Sequence, residues 1–334
     1  MTARPPELVV GSRACARALQ LLRFTCLDVG ARQGFTRDLM PIAGAVDAVA
    51  FEPDGEEAAQ LNANAARGDF PWASLRYLPV AIGPANGPDR LHLYRQRGCS
   101  SLLEADQALA ARFVRGDYFE LDGTVSVTAS PFDEAAVRFG FEDASYLKID
   151  VQGYELAIFE TGRRMLADNL LAIRCEVSFI PLYKGQPLFG DIAAHLAQFG
   201  FVPLGFEEMH DWRRTTKVKH PGRAAGPLPY SRGQLVHGDV LFVRDPDRLP
   251  DSTPSEGERL LKAAFLALVY GYVDHAAAIC ARPGVVRYLR EHGVSDIADG
   301  LSEASAWHAR RYRQESRRRA WRRLVGTVKP FGMA

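Results

Sequence analysis

From about residue 12 to 245, short apolar runs alternate with helical patterns, and that alternation confines the chain to a small set of folds. Strands that recur between helices build βαβ units and a largely parallel sheet. Residues 12–22 read as an opening helix and Thr25–Val29 as the first strand, after which a glycine turn opens a helix near Gly34. The second strand, Ala48–Phe51, stops at Glu52-Pro53, because proline drives the residue before it out of helical space. Asp54 then stands as an N-cap with Glu57 three residues on, the start of a helix to about Ala66. A third strand is expected over Leu75–Ile82, and Arg90–Tyr94 with Thr124–Thr128 reads as an antiparallel insertion around Gly98-Cys99-Ser100-Ser101. Tyr146–Ile149 and Leu170–Val177 are nearly all apolar, as strands covered on both faces should be. A helix over Asp191–Phe199 and strands at Phe201–Phe206 and Val240–Val243 complete seven principal strands. The class is α/β, with a mostly parallel sheet whose last strand turns back.

Residues 1–245 thus form one domain, and 246–257, rich in Pro, Asp and Ser, form a linker. Residues 258–334 are expected to be a helical appendage separable from catalysis, with helices over Glu258–Ala281, Val285–His292 and Asp296–Leu324. The net charge of +1 supplies no bulk field for nucleic acid, so no nucleic-acid partner is expected. From Glu303 onward, however, the chain carries a local +7, with Arg310, Arg311, Arg313, Arg317, Arg318, Arg319, Arg322 and Arg323 beside Trp307 and Trp321. Such a run is either a solvated helix face or a contact for an anionic membrane surface or acidic partner. Five scattered cysteines without C-x-x-C spacing argue against a disulfide framework or a zinc site. No set of three metal ligands stands out, and no metal is expected. Residues 1–6 lack an apolar stretch, and a reducing cytoplasm is the expected compartment.

The first strand ends Leu27-Asp28-Val29-Gly30-Ala31-Arg32-Gln33-Gly34. In an open α/β sheet this turn lies where ligands bind. A dinucleotide site wants G-x-G-x-x-G facing a pyrophosphate. Here the spacing is D-x-G-x-x-x-G, and a carboxylate before the glycines would repel a pyrophosphate. It would suit the ammonium of a methionyl group, with a sulfonium adding positive charge. Glu52 ends the second strand, where a carboxylate can accept hydrogen bonds from ribose hydroxyls. Together Asp28, Gly30 and Glu52 point to a nucleoside sulfonium, S-adenosylmethionine, rather than a nicotinamide.

The run Tyr146-Leu147-Lys148-Ile149-Asp150-Val151-Gln152-Gly153-Tyr154-Glu155 resembles the hallmark K-I-D-V-E-G-x-E of the FkbM family of methyltransferases. The first-strand D-V-G-A-x-x-G and second-strand F-E-P match the same family. So do Val80-Ala81-Ile82-Gly83, Ser100-Ser101-Leu102, and Glu176-Val177-Ser178 with Tyr183, over about residues 24–245. The resemblance implies a Rossmann-like methyltransferase fold, S-adenosyl-L-methionine as donor, and O-methylation of a sugar, glycan or natural product. It places Asp28, Gly30, Gly34, Glu52 and Ala81 at the donor, Asp150 between donor and acceptor, and Ser100, Ser101 and Tyr183 on the acceptor side. Two positions depart from the family pattern. Arg32 stands where Asn is common, and Gln152 replaces the usual Glu, removing a carboxylate from the catalytic rim.

A hydroxyl is a poor nucleophile, so a base within reach should add about 10²–10⁴-fold. Asp150 is the first candidate, as base or as ligand to the methionyl ammonium. Glu155, one turn on, is a second candidate or simply a first-turn helix charge, and Glu176 is a third. His210, His220 and His237 flank one loop and retain a role in acid–base chemistry as an option. That loop also carries Arg213, Arg214, Lys217, Lys219, Arg223 and Arg232. It is either a solvated surface loop or a lid whose Arg213 and Arg214 recruit an anionic acceptor. Gln152 leaves one alternative of a different class, a donor-binding scaffold that holds a partner through its C-terminal helices.

Overall fold

Ten strands and eleven α-helices are present among the described residues of a computed structural model, which describes residues 9–327 other than 33, 69, 219–227 and 229. Side chains of residue 315 and of 318–327 are likewise outside the description. Lys219, His220 and Arg223 therefore lie outside the described residues, as do the side chains of Trp321, Arg318, Arg319, Arg322 and Arg323. The strands are β1 (Phe24–Val29), β2 (Val46–Phe51), β3 (Ser74–Leu78), β4 (Ala81–Ile82), β5 (Gly87–Tyr94), β6 (Leu121–Ser130), β7 (Tyr146–Ile149), β8 (Ala172–Ser178), β9 (Phe201–Trp212) and β10 (Gln234–Arg244). The helices are α1 (Arg13–Leu19), α2 (Gly55–Ala66), α3 (Gln107–Ala110), α4 (Phe132–Phe139), α5 (Glu155–Thr161), α6 (Arg163–Asp168), α7 (Phe189–Ala197), α8 (Pro254–Val269), α9 (Val273–Cys280), α10 (Pro283–Glu291) and α11 (Ile297–Thr327).

Seven strands form one sheet in the order β3-β2-β1-β7-β8-β10-β9. All neighbours pair in parallel except those of β10, which runs antiparallel to both β8 and β9. That is the Rossmann-like methyltransferase arrangement expected from the sequence. Its core is built on one sheet face by Leu27, Val29, Leu147, Ile149, Ile173 and Phe242. Against them pack Phe132 and Ala136 of α4, Ile158 and Phe159 of α5, Leu166 of α6, and Ile192 and Leu196 of α7. Each of these side chains is essentially removed from water, worth about 1.5–3 kcal/mol for a large one.

Four local expectations need correction. No α-helix follows β1: residues 34–39 are turns and bends, and only a 3-10 helix forms at Met40–Ala45. Pro41 and Gly44 leave too few helix-forming residues before β2, and proline tolerates only the first turn of a helix. The third strand stops at Leu78, before Pro79, which has no N–H for the ladder. Ala81–Ile82 then joins a separate three-stranded sheet, parallel to β6, with β5 antiparallel on the other side. Strands β9 and β10 are longer than their apolar runs, because polar residues such as Glu208, His210, His237 and Asp239 continue the ladder. The apolar helix expected over Glu258–Ala281 is two helices, broken where Gly271 takes φ +90°.

Two compact units divide the chain. Residues 24–37 and 46–249 carry both sheets. The other unit combines, among the described residues, 250–327 with 9–23 and 38–45, so α1 belongs with the C-terminal helices rather than with the sheet domain. In it Arg17 pairs with Asp296, and Tyr270 donates to Asp38 at 3.0 Å. Helix α8 begins at Pro254, four residues before the expected start, on a reciprocal cap between Thr253 and Glu256. Arg310, Arg311, Arg313 and Arg317 are exposed on α11. Among the described residues no helix is long and apolar enough to cross a membrane.

Candidate active site

A cleft of about 400 Å³ opens at the carboxyl ends of β1, β2 and β7, where doubly wound sheets bind their ligands. Asp28, Gly30, Gly34, Glu52, Ala81, Ser100, Ser101, Asp150 and Gln152 all line it. Gly30 takes φ +92° and its amide donates to Phe51 O of β2. A Cβ there would fall on the carbonyl oxygen of Asp150, so the loop after β1 can touch the end of β7 only as glycine. Asp28 is buried, and one of its oxygens accepts the Thr36 N–H at 2.7 Å. Glu52 is 3% exposed, and its Oε1 accepts the Asp54 N–H at 2.9 Å. Burial raises its carboxyl above the usual carboxylate range, while the Asp54 N–H and the charge of Arg32 pull the other way. The unusual Arg32 thus lines the cleft within electrostatic reach of Glu52.

Several residues not singled out in the sequence complete the cleft. Register places Asp28, Lys148 and Arg174 side by side on β1, β7 and β8. Lys148 Nζ lies 3.6 Å from Asp28 Oδ1 and 3.4 Å from Asp150 Oδ2. Burial works to lower its pKa, but Asp150, Asp28 and Asp239 outweigh it and hold the ammonium above the ordinary lysine range. Arg174 Nε donates to Asp239 Oδ2 at 3.0 Å and the same guanidinium faces Glu208 at 3.5 Å. Alternation within Lys148-Ile149-Asp150 and Arg174-Cys175-Glu176 was the available signal, since charges two apart in a strand share a face.

Gln152 is the hub of the acidic side. It sits at φ +57°, an unfavourable backbone for a side chain with a Cβ. Its Nε2 donates to Asp150 Oδ1 and to Glu176 Oε2, each at 2.7 Å. Its carbonyl accepts from Ser101 Oγ at 2.9 Å, and Tyr183 Oη lies 3.1 Å from its Oε1. A glutamate here could not donate to either carboxylate, so the departure from the family pattern ties two acids together instead of adding a third. Partial burial works to raise the Asp150 carboxyl, but Lys148 and the Gln152 amide hold it below the usual range. Burial, with Asp150 and Asp239 nearby, pushes Glu176 well above it.

Four expected site residues, Tyr183, Arg213, Arg214 and Glu155, sit elsewhere. Tyr183 is buried in a second core with Tyr94, Phe119 and Trp212, behind the cleft wall. Arg213 and Arg214 line a separate concavity of about 370 Å³ with Thr216, Leu228 and Arg232. Glu155 is buried and accepts the backbone N–H groups of Val151 and Gly153 at 3.0 and 3.3 Å. It shapes the turn that presents Gln152. Burial and the charge of Glu176 push its carboxyl up to about 8. An unfolded glutamate titrates near about 4.3, so the folded chain holds an extra proton between those values. Stability contributed by this group is therefore full below about pH 4 and is lost as pH rises through about 8. Glu155→Gln is expected to flatten the fall in urea midpoint across that window, and an unchanged pH slope would contradict it.

The strand order, the reversed β10 and a ligand cleft at the ends of β1, β2 and β7 define a Rossmann-like methyltransferase-type domain. The family model for the Methyltransferase FkbM domain matches residues 28–203. The chain belongs to the FkbM methyltransferase family. Among curated proteins, 2-O-methyltransferase NoeI of Sinorhizobium fredii is 28% identical over 190 residues, covering 54% of this chain and 75% of that protein. The solved methyltransferase FkbM of Methylobacillus flagellatus KT aligns at 14% identity and a TM-score of 0.34, spanning 67% of this chain but only 45% of its own. TehB of Haemophilus influenzae aligns at 10% identity and a TM-score of 0.32, over 70% of this chain and 61% of its own.

Proposed function

We propose that the cleft binds S-adenosylmethionine and that the chain moves its methyl group to a hydroxyl of a sugar, glycan or natural product. The observation that carries the donor half is Glu52. Its buried carboxylate lines the cleft at the end of β2 with Oε2 unpartnered among the described residues, the position that accepts ribose hydroxyls in doubly wound folds. Ser100 Oγ, also in the cleft wall, is buried without a hydrogen-bond partner among the described residues, and a polar ligand would satisfy it. Gly30 and Ala81 allow close backbone approach there. Asp28 shares its charge with Lys148, so Asp28 and Asp150 together would face the methionyl end. When bound, the donor supplies a methyl carbon already activated by positive sulfur, which leaves the protein to position and deprotonate the acceptor. The acceptor half is supported by the relative whose name is a 2-O-methyltransferase.

Calorimetry with S-adenosylmethionine tests the donor half. Glu52→Ala should weaken binding by about 1.5–3 kcal/mol, the worth of hydrogen bonds to a charged group. Equal affinity in the two proteins would remove Glu52 from the site. Release of S-adenosylhomocysteine by wild type with methyl glycosides tests the acceptor half, and binding without release would favour the scaffold alternative.

A further inference from the structure

We infer that His237, held by Glu176, takes the proton from the acceptor hydroxyl; this deepens the methyl-transfer reading above and rests on it. Glu176 Oε2 is occupied by Gln152, and Oε1 lies 3.0 Å from His237 Nδ1. With Glu176 ionised, an Nδ1–H donated to that carboxylate fixes the tautomer and leaves the lone pair on Nε2. His237 Nε2 has no hydrogen-bond partner among the described residues, and the side chain is 21% exposed. The ring is also held in place. His210 of β9 stacks on it at 4.5 Å between centroids, and Trp212 meets it edge-on at 5.6 Å. Asp239, two residues along the same face of β10, lines the cleft, as does Gln152. The imidazole therefore adjoins the donor cleft, one carboxylate removed from its wall.

Asp150 is less suited to the task. Its Oδ1 accepts from Gln152 and its Oδ2 faces Lys148, so both oxygens are engaged by donors. His237 is surrounded by Glu176 from β8, Asp150 from β7, Asp239 from β10, His210 from β9 and Arg115 from the preceding insertion. Burial lowers its imidazole below the usual histidine range, against the raising effect of Asp150 and Asp239. Burial thus favours the neutral ring. As the hydroxyl oxygen bonds the methyl carbon, the electron pair of the broken carbon–sulfur bond stays on sulfur. Because burial pushes the Glu176 carboxyl up, the pair acts as base once Glu176 is ionised: the hydroxyl proton then passes to His237 Nε2, and the Glu176 carboxylate balances the imidazolium. Glu176 is the positioning residue of the pair.

The test has a spectroscopic arm and a kinetic arm. In the full chain labelled with 15N-histidine, the signals lost in His237→Gln identify the ring. Long-range 15N–1H correlation at about pH 8 should show Nδ1 protonated and Nε2 bare. The opposite tautomer overturns the inference whatever the activity. With methyl glycosides as acceptors, His237→Gln should lose about 10²–10⁴-fold in kcat while S-adenosylmethionine affinity by calorimetry stays within about twofold. The wild-type rate should rise with pH as the Glu176–His237 pair gives up its second proton, and level off beyond that. Glu176→Gln should move that limb to lower pH, because a negative neighbour is gone. A kcat for His237→Gln within about threefold of wild type overturns the inference. A wild type that binds no S-adenosylmethionine fails the donor reading instead, and the tautomer measurement still decides the pair.

Discussion

Gly30→Ala is expected to destabilise the sheet domain by about 3–5 kcal/mol, beyond the 0.5–3 kcal/mol range of most substitutions. Two costs add. Alanine at φ +92° enters a region that side chains with a Cβ rarely adopt. The new methyl also meets the carbonyl oxygen of Asp150, which is backbone and cannot swing aside. That backbone is fixed in turn, because the Asp150 amide donates to Val29 O at 3.0 Å and Gly30 and Ala31 donate to Phe51 O. Relief must come by parting the ends of β1 and β7, which would open the cleft floor. Gly55→Ala is the control. It sits in the first turn of α2 with nothing within 4 Å of its added Cβ, and should change stability by no more than about 1 kcal/mol. Urea midpoints for the two variants decide the matter, and a Gly30→Ala midpoint close to wild type would mean that the close approach does not exist.

That contact illustrates what could and could not be read from the residues. Strands β1, β2 and β7 were legible because each is a short, largely apolar run stopped by Gly30, Glu52-Pro53 or Asp150, and Tyr146–Ile149 has the expected bounds. Gly30, Glu52 and Asp150 were legible as cleft residues because each directly follows a strand end. Lys148 was hidden inside a motif whose aspartate drew attention. Its partner Asp28 lies 120 positions away on β1, and only the insertion of β7 beside β1 brings them together. Registry between strands distant in sequence depends on the order of the whole sheet, which no local pattern records. The Gln152 hub was invisible for a similar reason, since its function rests on a positive φ and on a carboxylate of another strand. The break at Gly271 went unread because Ala and Leu on both sides kept the helical period intact. The polar halves of β9 and β10 went unread because alternation there carries His, Glu and Asp rather than apolar residues.

Lys148→Met should cost about 3–5 kcal/mol of stability at neutral pH, the penalty for removing one partner of a buried charge pair. Methionine matches the lysine stem in length, so the packing loss is small and the change isolates the ammonium. Asp28 keeps the Thr36 N–H and Asp150 keeps Gln152, but neither of those groups carries a charge. Two carboxylates would then face one space with nothing to separate them. One of the two would take up a proton on folding that the unfolded chain does not hold at pH 7. A group whose folded form holds a proton more tightly contributes stability at low pH and loses it as pH rises. The deficit of the variant should therefore be smallest near about pH 5 and grow toward about pH 8. Lys148→Arg keeps the charge and should recover much of the loss, though its planar fork cannot place a point charge between the acids as an ammonium does. Urea unfolding of the three proteins at both pH values reads this directly. If the methionine variant were equally destabilised at both, the loss would be one of packing, and Lys148 would not be the charge that holds Asp28 and Asp150 together.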